Sequence, residues 1–182
     1  MDLPVYYLTG MGGQLSTGLG QALLSRNVDV TGRELVGDFR NRSFQEQVDT
    51  VIDDLRAHFW RQDARVLANS FGAYLFLHAQ AELEPYIGKV LLLSPIVGEF
   101  SNQETRMNFV PPRAHKLFEL ASRNDFSAPI NCQIHVGEED WQSDPKSVQI
   151  FGNLLGLNVT IVKGSGHLLP KSYVGNLLDD WL

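Results

Sequence analysis

The sequence predicts an α/β protein with about six mostly parallel strands and helices on both faces of the sheet. Short apolar runs alternate along the chain with segments of helical period. Most of the runs are apolar at consecutive positions, as expected for strands that are buried on both faces. Because helical segments separate most of the runs, successive strands are expected to be parallel.

Six runs account for the predicted strands. The first ends at Gly10, and the third ends directly before Ser70. A glycine or a polar cluster after an apolar run marks the end of a strand. The predicted strands are residues 5–9, 28–35, 65–69, 89–93, 132–136 and 159–162.

Helices are predicted between and after these strands. The clearest one starts at Ser43, which forms a capping box with Glu46. Asp144 followed by Pro145 marks another helix start, with proline at the first helical position. The predicted helices are residues 15–26, 43–60, 71–83, 144–155 and 171–182. Residues 96–112 are predicted to be a long irregular loop, and such loops in compact domains are often functional.

The composition disfavours several functional classes. Hydrophobic residues make up 43% of the 182 residues and charged residues 20%, which is typical of a globular protein. The net charge is −6 and the basic residues are scattered, so nucleic acid or an anionic membrane is not the expected partner. Cys132 is the only cysteine, which excludes an intramolecular disulfide. We expect no metal, because no cluster of His, Cys and carboxylates has ligand spacing.

The same observations indicate one domain over residues 1–182. No apolar run reaches the roughly 20 residues of a membrane-spanning helix. The first residues, Met1 to Pro4, do not read as a secretory signal. The cytoplasm is therefore the expected location, and the oligomeric state does not follow from the sequence.

Chemically active residue types follow the predicted strands. Ligands of an open parallel sheet bind beyond the carboxyl ends of its strands. Gly10 and Met11 follow the first strand and Ser70 follows the third, while Asp140 and His167 follow the fifth and sixth. These positions place a serine, a carboxylate and a histidine at one sheet edge, in the chain order Ser, Asp, His.

Each of these residue types has a definite chemical use. The hydroxyl of Ser70 needs a base to become a nucleophile, and a histidine suits that role near neutral pH. A carboxylate on the other ring nitrogen fixes the tautomer and stabilises the imidazolium, so Asp140 is the expected acid. The N–H groups of Met11 and Phe71 are the expected oxyanion donors, since Phe71 begins a helix. The neighbours Glu138, Glu139 and Asp144 remain alternative acids on spacing alone.

These motifs resemble those of the α/β-hydrolase superfamily, and the resemblance covers nearly the whole chain. Thr9-Gly10-Met11-Gly12-Gly13 resembles the oxyanion loop and Ala68-Asn69-Ser70-Phe71-Gly72 the nucleophile elbow. Gly137-Glu138-Glu139-Asp140 and Gly164-Ser165-Gly166-His167 resemble the acid and histidine loops. Ala68 stands where many members have glycine, and Thr9 where many have histidine.

The resemblance implies a minimal member with little or no cap and no cofactor. It implies a serine hydrolase that cleaves a small carboxylic ester or thioester through an acyl-enzyme on Ser70. Gly10 is an expected substrate-binding residue. Since the region after Ser94 and Pro95 is short, Phe100, Met107 and Phe109 are the expected acyl-pocket residues.

Two other functions are compatible with parts of the pattern. A hydrolase fold without turnover could serve as a binding or interaction protein, because fold does not imply function. A nicotinamide-dependent oxidoreductase would use Gly10 and Gly12 as a dinucleotide loop. Leu15 occupies the third glycine position of that fingerprint, and no Tyr-x-x-x-Lys motif is present.

Overall fold

Within residues 3–182, eight strands form one parallel sheet and one small hairpin. The computed structural model describes residues 3–182. The strands are β1 (Pro4–Met11), β2 (Asp29–Leu35), β3 (Arg65–Asn69), β4 (Lys89–Leu93), β5 (Phe100–Asn102), β6 (Met107–Phe109), β7 (Asn131–Gly137) and β8 (Asn158–Val162). The main sheet has the order β2-β1-β3-β4-β7-β8, and every pair in it is parallel.

In the part of the chain that the structure describes, seven α-helices connect or follow these strands. They are α1 (Gly18–Leu24), α2 (Gly37–Asn41), α3 (Phe44–Asp54), α4 (Phe71–Gln80), α5 (Lys116–Ser122), α6 (Pro145–Leu155) and α7 (Lys171–Trp181). A π-helical turn, Leu55–Phe59, extends α3. The capping box of Ser43 and Glu46 begins α3, and Asp144 caps α6, as predicted.

The sheet separates two apolar layers. On one face, Val5 and Tyr7 of β1 pack with Leu67 and with the α7 residues Leu178 and Trp181. The alternate residues of β1, Tyr6 and Leu8, face the larger layer under α3, α4, α5 and α6. This alternation follows from the period-two geometry of a strand. Helices therefore cover both faces, and the predicted architecture is confirmed.

The segment between β4 and β7 differs from the prediction. Residues 96–112 were expected to be irregular, but they contain the antiparallel pair β5–β6. Phe100 pairs with Phe109 in this hairpin, and the short helix α5 follows it. No large helical cap is inserted between β4 and β7 in this part of the described chain.

The strand order sets the position of the ligand site. The chain runs from β1 to β2 on one side and then crosses to β3 on the other side of β1. Such a reversal leaves a crevice between the carboxyl ends of β1 and β3. Gly10 of β1 and Ser70 after β3 lie at this crevice.

Candidate functional site

Ser70 occupies a sharp turn between β3 and α4. Its backbone has φ 53° and ψ −122°, and it is the residue before the first turn of α4. The N–H of Ser70 donates to the Leu93 carbonyl at 3.1 Å, and its own carbonyl accepts from Ile96 at 3.3 Å. These bonds tie the turn to the end of β4, so the side chain projects from the sheet edge.

The turn depends on small neighbours. A Cβ atom at Gly72 would lie 2.3 Å from the Thr9 carbonyl oxygen and 2.4 Å from that of Leu8. A Cβ at Gly10 would lie 3.2 Å from the Ser70 Cβ. Ala68 is fully buried within the sheet. The helix start can approach β1 this closely only because residue 72 is glycine.

The structure brings Ser70, His167 and Asp140 together. The Ser70 Oγ lies 2.8 Å from the His167 Nε2. The His167 Nδ1 lies 2.9 Å from one Asp140 carboxylate oxygen and 3.0 Å from the other. The Asp140 side chain is fully buried, while that of His167 is 17% exposed. This sequence of contacts can pass a proton from the hydroxyl to the imidazole and hold the imidazole in one orientation.

The neighbouring carboxylates are engaged elsewhere. A Glu138 carboxylate oxygen accepts from the Gly164 N–H at 3.0 Å. Asp144 accepts from the Ser147 N–H at 3.0 Å, as the cap of α6. Glu139 is exposed. Among the acids that spacing left open, Asp140 is the one that contacts the His167 ring.

Two buried serines connect the loops of Asp140 and His167 through hydrogen bonds. The Ser143 N–H donates to an Asp140 carboxylate oxygen at 2.9 Å, and the Ser143 Oγ donates to the Ser94 carbonyl at 2.6 Å. The Ser94 Oγ in turn donates to the His167 carbonyl at 2.8 Å. Sequence reasoning missed both serines, because an isolated serine after a strand carries no distinguishing motif.

The loop after β1 is fixed by side chains of β1 and β3. The Asn69 Oδ1 accepts from the Gly10 N–H at 3.1 Å and from the Tyr7 hydroxyl at 2.9 Å. The Thr9 Oγ1 accepts from the Leu35 N–H at 2.9 Å. Burial raises the pKa of the Tyr7 hydroxyl, so it stays a proton donor to Asn69. Sequence reasoning missed this role of Asn69.

The two predicted oxyanion donors, the N–H groups of Met11 and Phe71, belong to the end of β1 and the start of α4. Phe71 is the first residue of α4, so its N–H has no acceptor within the helix. Met11 ends β1 beside the Gly10 N–H, which is already bound to Asn69. Met11 and Ser70 line the same cavity. The geometry is thus compatible with the predicted pair, Met11 and Phe71.

A cavity of about 960 Å³ opens at Ser70 and His167. It extends between α1 and the start of α7, with Leu19, Ala22 and Val174 in its walls. This volume is in the range of small-molecule sites. Of the predicted substrate-binding residues, Gly10 lines it together with Met11.

Phe100, Met107 and Phe109 do not line this cavity. Phe100 and Phe109 stack on each other, with ring centroids 5.0 Å apart. Phe109 also packs on Phe71 at 6.3 Å, and Phe100 packs on Trp141 at 5.7 Å. Met107 lies on the exposed side of the hairpin. The two aromatic rings support the residues next to Ser70 and Asp140 instead of facing the cavity.

Other reactive side chains lie away from this cavity. His78 is buried beside Tyr74, and burial together with Arg113 and Lys116 lowers its pKa to about 3. The His135 Nδ1 lies 2.7 Å from the Tyr173 hydroxyl, and burial lowers the pKa of this histidine as well. Burial raises the pKa of the Cys132 thiol to about 12. These groups are neutral near pH 7, and none of them lines the cavity.

The described residues hold neither a metal-binding cluster nor a membrane-spanning helix. Within residues 3–182, no group of three or more His, Cys, Asp or Glu side chains is arranged to hold a metal ion. In the same residues, no helix combines the length and the apolar character needed to cross a bilayer.

Comparison with known proteins gives structural matches alone. No protein-family model matches the sequence, and the search of curated proteins found no significant match to it. The carboxylesterase CesB (YbfK) from Bacillus subtilis superposes with a TM-score of 0.69 at 12% identity, over 99% of this chain and 83% of CesB. A carboxylesterase structure from Nitrososphaera gargenis superposes with a TM-score of 0.65 at 15% identity. The match covers 98% of this chain and 89% of that one.

A YdeN-like putative hydrolase from Pectobacterium atrosepticum gives a TM-score of 0.65 at 16% identity, over 99% of this chain and 90% of that one. These matches cover nearly the whole chain and share one architecture. The chain has the α/β-hydrolase fold, and the predicted resemblance is confirmed at that level.

Proposed function

We propose that this chain is a serine hydrolase that cleaves a small carboxylic ester or thioester. The observation that carries the proposal is the continuous contact from the Ser70 Oγ to His167 and from His167 to the buried Asp140 carboxylate. Contacts of this length and order are what nucleophile activation requires. The carboxylesterases with the same fold support the reaction type.

In the first step, the Ser70 Oγ attacks the carbonyl carbon of the substrate. His167 Nε2 takes the hydroxyl proton as the new C–O bond forms. The buried Asp140 carboxylate holds the ring through Nδ1 and stabilises the imidazolium cation. His167 then donates its proton to the leaving alcohol or thiol as the original ester bond breaks, and an acyl-Ser70 ester remains.

Negative charge develops on the carbonyl oxygen during the attack. The N–H groups of Met11 and Phe71 are the proposed donors to that oxygen. Each such donor contributes about 3 kcal/mol of transition-state stabilisation. The bond from Gly10 to Asn69 supports this assignment, because it orients the loop that carries Met11.

In the second step, a water molecule takes the place of the leaving group. His167 removes a proton from this water, which attacks the acyl carbon. The acid product leaves when Ser70 recovers its proton from His167. The proposed cycle uses only side chains, backbone amides and water.

Labelling with a fluorophosphonate tests the nucleophile. We expect the wild-type protein to gain the mass of one adduct and Ser70→Ala to gain none, with turnover of p-nitrophenyl acetate reduced by about a million-fold. Ser172→Ala is the matched control, since Ser172 is an exposed serine on α7. It should label like wild type.

The folded state of each variant is checked by circular dichroism. A folded wild-type protein that takes no adduct would contradict the proposal and would favour a binding protein on a hydrolase fold. Equal labelling of wild type and Ser70→Ala would also contradict it, because another residue would then be the nucleophile.

A further inference from the structure

We propose that the cleft between α1 and α7 binds an unbranched aliphatic chain of the substrate. The inference rests on the proposed function and names its substrate class, an ester or thioester with a medium-length apolar chain. The cleft is continuous with the space above Ser70 and His167. A chain attached to a carbonyl at Ser70 can therefore enter it directly.

The walls of the cleft are mainly apolar. Leu19 and Ala22 of α1 form one side, and Leu169 and Val174 form the other. Gln21, Ser25 and Lys171 also line the cleft, from positions that are exposed to solvent. An aliphatic chain laid between these walls would remove apolar surface from water, which is favourable by about 25 cal/mol per Å².

The mouth of the cleft also carries large apolar side chains. Leu168, next to His167, is 87% exposed, and Met11, next to Gly10, is 46% exposed. Large apolar side chains that face water beside a polar reacting group are typical of a surface that a ligand covers. An apolar chain is the ligand that suits both the mouth and the walls of the cleft.

Arg26 closes the far end of the cleft. Its Nε donates to Asp179 at 2.7 Å, its Nη1 to the Ala22 carbonyl at 2.8 Å and its Nη2 to the Gly175 carbonyl at 2.9 Å. Three of its five N–H donors are thus bound to protein acceptors, so Arg26 is held in place as a stop at this end of the cleft. From Gly18 to Leu24 the helix rises about 9 Å, which limits the length of the chain.

Two series of esters test the cleft. One series varies the acyl group of p-nitrophenyl esters from acetate through hexanoate to decanoate, and the other varies the alcohol of acetate esters from ethyl to decyl. We expect kcat/KM to rise by at least about tenfold with chain length in one series. The series that responds identifies whether the acyl or the alcohol chain occupies the cleft.

Substitutions in the cleft link this preference to its walls. Ala22→Trp should abolish the rise with chain length in the responding series, because the indole ring would fill the cleft. Val174→Phe tests the opposite wall if Ala22→Trp fails to fold. Leu24→Trp is the matched control on α1, since Leu24 is 47% exposed and outside the cleft, and it should keep the wild-type preference.

Three results would overturn the proposal. The first is equal kcat/KM for short and long chains in both series. The second is a chain-length preference that both cleft variants leave intact. The third is a preference that is lost in Met107→Trp on the hairpin and kept in the cleft variants. If neither series is hydrolysed and Ser70 takes no fluorophosphonate, the proposed function itself has failed.

Discussion

Asp140 is the residue on which the proposed acid–base chemistry depends most. Its side chain is fully buried, and it accepts from the N–H groups of Gln142 and Ser143 at 3.0 and 2.9 Å in addition to its contact with His167. These donors hold the carboxylate in place before any substrate binds. A buried, oriented carboxylate acts on the neighbouring imidazole far more strongly than one in water.

Replacing this carboxylate by an amide keeps the shape and removes the charge. We expect Asp140→Asn to lower kcat for p-nitrophenyl acetate by about 10⁴-fold, because the amide favours the wrong imidazole tautomer. Steady-state kinetics and the rate of fluorophosphonate labelling measure the effect. Glu139→Gln, an exposed neighbour, is the control and should behave as wild type. Near-normal activity of Asp140→Asn would assign the acid role to another residue.

Gly72 shows how a backbone requirement is encoded at a single position. Its missing side chain lets α4 begin against β1, and the atoms that a methyl group would meet are backbone carbonyls that cannot turn away. We expect Gly72→Ala to lower the free energy of unfolding by about 1–3 kcal/mol, measured by urea denaturation.

Gly166 is the matched control for that substitution, since a Cβ there meets nothing within 4 Å. Gly166→Ala should change the free energy of unfolding by less than about 0.5 kcal/mol. Equal effects of the two substitutions would argue against the close approach of α4 to β1.

At the scale of elements, the β5–β6 hairpin supports the site from outside. Phe109 packs on Phe71, the residue after Ser70, and Phe100 packs on Trp141, the residue after Asp140. One small hairpin thus contacts the loops of both residues. Because the rings of a packed aromatic pair hold each other in place, the hairpin is expected to restrict movement of both loops.

Removing one ring tests this support. We expect Phe109→Ala to lower the free energy of unfolding by about 1–3 kcal/mol and to reduce kcat for p-nitrophenyl acetate. Asn108→Ala, at the exposed neighbour in the same strand, is the control. If Phe109→Ala had wild-type stability and kcat, the hairpin would have no supporting role.

The elements that the sequence predicted are those with strong local signals. The central strands β3 and β4 are mainly apolar, and α3 and α6 carry capping residues, so the existence of these elements follows from pattern alone. The hairpin was missed because its turn, residues 103–106, has no glycine, and Arg106 adopts φ 52° instead. The five-residue helix α2 and the seven-residue helix α5 are too short for a period to be recognised.

At the scale of the whole molecule, buried neutral histidines couple stability to pH. His78 has an ordinary pKa near 6.5 when unfolded, and burial lowers it to about 3 in the folded protein. Between these values the unfolded chain binds a proton at this site that the folded chain does not. Stability therefore falls as the pH drops from about 6.5 towards 3, by up to about 1.4 kcal/mol per pH unit.

Urea denaturation at pH 7 and pH 5 measures this dependence. We expect His78→Gln to lose less stability than wild type between the two pH values, because glutamine does not titrate. His115→Gln, at an exposed histidine, should keep the wild-type pH dependence. An unchanged pH dependence of His78→Gln would show that His78 does not contribute to it.

The sequence predicts which residues lie at the sheet edge, but it does not predict which residues form the walls of the cleft. Ser70, Asp140 and His167 could be grouped because parallel strands end at a common edge, which makes their proximity a matter of topology. The cleft depends on α1 packing beside α7, whose contact through Arg26 and Asp179 spans 153 residues of sequence. No local pattern encodes such lateral packing, and the hairpin aromatics were taken for pocket residues in its place.

The backbone at Ser70 has a consequence for how variants of this protein would be selected. A residue with a side chain at φ 53° and ψ −122° costs the folded state about 1–3 kcal/mol, and glycine adopts such angles freely. A screen that ranks variants only by resistance to heat would therefore enrich Ser70→Gly, which lacks the proposed nucleophile. Heat resistance and turnover compete at this position, so directed evolution of the protein would need to score both.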